Sequence, residues 1–114
     1  MDTDQAKAAV RRIAEDLRGR TIPTLAQARP NAIIDVSAEG ITVRAKSVQL
    51  VRWEWVDEVI DALARSGEVT GVDLRKKRVT GGFRSAFIFA LLARTPFARA
   101  EVDRGVVRLK LASS

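Results

Sequence analysis

The sequence predicts an α+β fold. Two segments repeat apolar residues at helical spacing, two others alternate apolar and polar residues on either side of a turn, and a third, strongly apolar stretch lies between the second helix and the last alternating pair. With 114 residues the chain is expected to form one domain, long enough to bury a core without disulfide or metal support.

The stretch "DTDQAKAAVRRIAEDLRG" places Ala6, Val10, Ile13, Ala14 and Leu17 on one helical stripe, with Asp2 and Gln5 at capping-box spacing and Gly19 as the stop. "RTIPTLAQARPN", with two prolines, reads as a connection. "AIIDVSAEGITVRAKS" reads as a hairpin: Ala32, Ile34 and Val36 alternate before Ala38-Glu39-Gly40, and Ile41, Val43 and Ala45 after it. A second helix follows over about 53–66. Val56, Val59, Ile60 and Leu63 face inward, Glu54, Asp57, Glu58, Asp61 and Arg65 outward, and Gly67 ends it.

Beyond that helix, "EVT" fits a short strand, "GVDLRKK" a short helix, and "GFRSAFIFALLAR" a longer one beginning near Gly82 and stopped by Thr95-Pro96. In "ARAEVDRGVVRLKL", Ala98, Ala100 and Val102 share one face before the Asp103-Arg104-Gly105 turn. Val107, Leu109 and Leu111 share it afterwards, which leaves Arg99, Arg108 and Lys110 facing water. Helix, short strand, short helix, longer helix and two-stranded ribbon is the element order of a winged helix, a helix-turn-helix variant whose C-terminal β-hairpin is the wing. The expectation is a single domain over 1–114, with an N-terminal helix and extra β-hairpin over 1–48 and a winged-helix-like core over 49–114.

Composition narrows the chemistry. The chain has neither cysteine nor histidine, which removes disulfides, the usual zinc sites and the Ser-His-Asp and Cys-His nucleophile systems. No catalytic residue, metal or cofactor is expected. The N-terminus has no apolar targeting core and no run is long enough to cross a bilayer, so the expected location is the cytoplasm and no membrane partner is foreseen. The formal charge is +6, unevenly placed: residues 1–67 hold ten cations and ten acids, residues 68–114 ten cations and four acids.

An excess of this kind suits an anionic partner, and double-stranded DNA is the natural one, because each neutralised phosphate releases counterions. The expected contacts are Arg75, Lys76, Lys77 and Arg78 in the basic turn, Gly82, Arg84 and Ser85 at the entrance of the longer helix, and Arg99, Arg104, Arg108 and Lys110 on the ribbon. Gly82 lets backbone approach closely, and amides at a helix start suit a phosphate. After Ser85 the helix runs Ala-Phe-Ile-Phe-Ala-Leu-Leu-Ala, with no side chain suited to reading base edges, so weak sequence specificity is expected and the helix itself is core or interface.

Other features have plainer explanations. Trp53 and Trp55 do not face each other on a helix, so one buried and one half-exposed ring is expected rather than a stacking cage. The acids Glu54, Asp57, Glu58 and Asp61 suit a solvated face or partners for nearby arginines better than a metal. A nuclease carboxylate two residues before a lysine is missing throughout: the five positions hold Gln5, Arg44, Leu74, Arg75 and Arg108. Two alternatives to DNA binding stay open, a protein-interaction or dimerisation domain that uses the apolar 83–92 helix and an unaided nuclease.

The segments "VRWEWVDEVIDALARSGEVT" and "FRSAFIFALLARTPFA", with "IIDVSAEGITVRAKS" upstream, resemble a domain at the N-terminus of actinobacterial McrA-type modification-dependent (type IV) HNH restriction endonucleases, over residues 21–102. The resemblance implies a module that helps a larger nuclease of anti-phage defence engage duplex DNA, methylated or hydroxymethylated in some relatives. Cleavage would reside in a separate histidine-dependent domain. It also allows a homodimer or contact with other domains of the parent nuclease. The "DLRKKRVTGG" insert is longer and more basic than the family pattern.

Overall fold

In the computed structural model, which describes residues 2–71 and 85–112, the chain is an α+β fold, and the described residues form three helices and two antiparallel sheets. Helix α1 spans Thr3–Asp16, α2 Trp53–Ser66 and α3 Ser85–Leu92. The first sheet is a meander, β1 (Thr21–Pro23), β2 (Pro30–Val36), β3 (Gly40–Arg44) and β4 (Val48–Arg52), in that order. The second has β5 (Glu68–Thr70), β6 (Ala98–Asp103) and β7 (Val106–Leu111) in the order β5-β7-β6.

Local chemistry fixes the helix ends. Asp2 caps α1, its Oδ1 accepting from the amides of Asp4 (3.0 Å) and Gln5 (3.2 Å). At the other end of α2, Gly67 takes the left-handed conformation (φ 78°) and its amide donates to the Leu63 carbonyl. The Gly67 carbonyl in turn accepts from the Leu111 amide at 3.0 Å, which ties the helix end to β7.

The start of α2 is held by Trp53 rather than by a capping side chain. Its indole Nε1 donates to the Ser37 carbonyl at 2.7 Å and its amide to the Glu39 carbonyl at 3.3 Å, so the helix begins against the β2–β3 turn. Trp53 is buried and Trp55 half-buried, as their spacing predicts. The acidic flank of α2 faces α1: Asp57 pairs with Arg11 and Asp61 with Lys7, the partner role expected for these acids.

The core is one cluster drawn from every layer: Val10 of α1, Val59 and Leu63 of α2, Ile22, Ile33 and Ile41 of the first sheet, and Leu109 of the second. Helix α3 lies in the middle of it, packed against α1, β1, β6 and β7. Surrounded in this way, a helix must be apolar all round, and Phe87, Ile88, Phe89, Ala90, Leu91 and Leu92 are all buried. Thr95 closes its C-terminus by donating from Oγ1 to the Leu92 carbonyl at 2.6 Å. Among the described residues no helix is long and apolar enough to cross a membrane.

Three sequence expectations need correction. The 20–31 segment is not only a connection, since Thr21–Pro23 pairs with β2. The Ala32, Ile34, Val36 stripe is broken by a bulge between Ile33 and Asp35: Ile33 is buried and Ile34 is exposed. Finally, Val48–Arg52 is a strand paired along its length with β3, so the first sheet runs through the 48/49 boundary between the two expected parts of the domain. The short helix expected over "GVDLRKK" lies, beyond Gly71, outside the described residues.

Candidate nucleic-acid interface

The strands β6 and β7 form a ribbon closed by Arg104 and Gly105, whose φ values of 53° and 77° are both left-handed. That is the backbone of a two-residue type I′ turn, whose twist matches that of the flanking strands. Glycine adopts it freely; arginine does so at a cost, since left-handed backbone crowds a Cβ. Register follows from the turn: Asp103 faces Val106, Glu101 faces Arg108 and Arg99 faces Lys110. On the other edge of β7, Glu68 faces Lys110 and Thr70 faces Arg108.

Alternation sends Val69, Ala98 and Leu109 into the core and collects Arg99, Arg108 and Lys110 on the opposite face, as the sequence predicts. The same alternation brings three acids there that sequence reasoning left out: Glu68, Glu101 and Asp103. Arg108 Nη1 donates to Glu68 Oε1 at 2.9 Å. Lys110 Nζ stands 3.2 Å from Glu101 Oε2, and Arg99 Nη2 stands 4.0 Å from Glu101 Oε1. Three cations and three acids share the face, so its formal charge is zero. Arg104, at the apex, is exposed and has no acidic partner among the described residues.

One signal in the sequence could have revealed part of this. Counting outward from a two-residue Arg104-Gly105 turn already places Glu101 opposite Arg108, and only the Glu68 pairing, forty residues away in sequence, needs the sheet order.

Of the other expected contacts, Arg75, Lys76, Lys77, Arg78, Gly82 and Arg84 lie outside the described residues, and Ser85 opens α3. Residues 72–84 hold five cations and one acid, four of the six net positive charges of the chain. Their flanks are anchored: β5 on one side is paired with β7, and α3 on the other is packed against β6 and β7. The described residues on either side of that segment therefore belong to, or pack on, the same three-stranded sheet.

No family model matches this chain, and neither a curated protein nor a solved structure matches it.

Proposed function

We propose that this chain is a double-stranded DNA-binding module of winged-helix-like design, directed mainly at the phosphate backbone and weakly specific for sequence. The observation that supports the reading is that the basic 72–84 segment joins β5 to α3 in sequence, and both of these elements contact β7 in a sheet ordered β5-β7-β6. The order α2, β5, α3, β6, β7, with β7 paired to β5, supports a winged-helix-like design, which would add a short helix before α3. The burial of α3 supports low specificity, because Phe87 through Leu92 are spent on the core and leave no helix face for base edges. It also weighs against dimerisation through the 83–92 helix. In line with the resemblance to type IV restriction endonucleases, the module would help a parent enzyme engage DNA, methylated or hydroxymethylated cytosine included, while cleavage belongs to another domain.

The test is a titration of labelled duplexes carrying plain, methylated or hydroxymethylated cytosine at several salt concentrations. Engagement of four to five phosphates gives a slope of log affinity against log salt of about −4. Changing Lys76, Lys77 and Arg78 to Glu should abolish binding. A salt-independent affinity, or none at all, would overturn the reading. Equal affinity for the three duplexes marks a positioning module, and a preference adds recognition of the modification.

A further inference from the structure

We infer that Glu68 and Glu101 keep the face of the β6–β7 ribbon off DNA, so that the ribbon contributes one contact, Arg104, rather than four; this rests on the DNA-binding reading above. The argument begins with charge. Attraction to a polyanion follows the net charge that a surface presents, and the outer face of β5-β7-β6 presents none. Laying that face on a duplex would bring Arg99, Arg108 and Lys110 to the phosphates only by bringing Glu68, Glu101 and Asp103 with them. The pairs themselves are exposed and individually weak, so they do not lock the cations in place; the acids act by opposing the phosphates.

Arg104 is different in three respects. It projects from the apex, beyond the last cross-strand pair; no acid among the described residues neutralises it; and it occupies a left-handed position for which asparagine is the better residue before a glycine. A backbone conformation that disfavours the side chain it carries points to a use for that side chain. An apex cation that stands beyond the Asp103–Val106 pair, at the narrow end of the ribbon, can approach a phosphate-lined groove that a flat sheet face cannot enter.

The two halves of the inference are tested together in the full chain. Arg104→Asn is expected to leave thermal stability equal or higher, since asparagine tolerates the turn, while lowering duplex affinity roughly three- to tenfold and reducing the salt slope by about 1. Glu68→Gln with Glu101→Gln is expected to raise affinity about tenfold and steepen the slope by about 1 to 2, as the freed cations reach phosphates. Arg108→Ala and Lys110→Ala in the unaltered background should change affinity less than twofold. The inference fails if those two alanine variants lose as much as Arg104→Asn, or if the glutamine pair leaves affinity unchanged. A wild-type chain that binds no duplex would instead overturn the proposed function itself, and this inference with it.

Discussion

The guanidinium carbon of Arg11 lies 4.8 Å from the centroid of the Trp53 ring, and the same guanidinium forks onto Asp57, Nη1 to Oδ1 at 3.3 Å and Nη2 to Oδ2 at 3.1 Å. One side chain of α1 thus holds both the first residue of α2 and an acid one turn further along.

Removing that clasp should loosen the docking of α1. Arg11→Ala is expected to cost about 1–2 kcal/mol, from a partly exposed ion pair together with a cation–π contact. Arg11→Lys should recover less than half of the loss, because an ammonium cannot both fork onto a carboxylate and stack on a ring. Urea unfolding of the two variants measures both quantities.

Gly40 lies where strand β3 meets the backbone of β4 at close range. A Cβ there would run into the Val51 carbonyl oxygen and come within 2.9 Å of the Arg52 Cα, both of them backbone that cannot swing aside. Gly40→Ala is expected to cost about 2–3 kcal/mol, visible as a lower urea midpoint with an unchanged m-value.

The Lys7–Asp61 pair gives an alkaline signature. The Nζ of Lys7 stands 3.0 Å from Asp61 Oδ1, and the hydrogen bond to Asp61 raises the ammonium above its ordinary pKa, helped by the charges of Asp61, Asp57 and Asp4 against some desolvation. A folded-state value above the unfolded one of about 10.4 means stability that is fully present below that pH and is lost as pH climbs through the raised value. Because the chain has no tyrosine or cysteine, few other groups titrate there. The expected result is that Lys7→Met flattens the fall in stability as pH climbs above about 10.4 and through the raised value, followed by chemical denaturation.

Phe89 sits in α3 with 2% of its surface exposed. Phe89→Ala should cost about 3–5 kcal/mol, the range for an aromatic removed from a packed interior. If α3 is core alone, sedimentation of the wild-type chain will show a mass of 12.5 kDa that does not grow with concentration.

Much of this architecture was legible in the sequence, for identifiable reasons. Helices α1 and α2 carry complete apolar stripes and end signals, and the second hairpin carries a turn glycine with clean alternation on both sides. What escaped lacks such punctuation. Strand β1 is three residues long and ends in a proline, and β4 passes into α2 without a turn, Arg52 being at once the last strand residue and the residue before the helix. The bulge at Ile34 could not be read from alternation, since an extra residue inverts the pattern that alternation supplies. At the candidate interface the positions of the cations were legible from period-two spacing. Their neutralisation was not, because Glu68 reaches Arg108 only through the insertion of β7 between β5 and β6.

That insertion also sets a timetable for folding. Because β7 is the middle strand, neither β5 nor β6 finds any partner in its sheet until residues 106–111 arrive, and the β5–β7 ladder closes a loop of some forty residues. A ribosome delivering this chain would release the four-stranded meander ready to assemble while the second sheet still waited for its centre, so stopping synthesis at the Arg104-Gly105 bend should yield a half-formed protein with two unclaimed strand edges, prone to self-association.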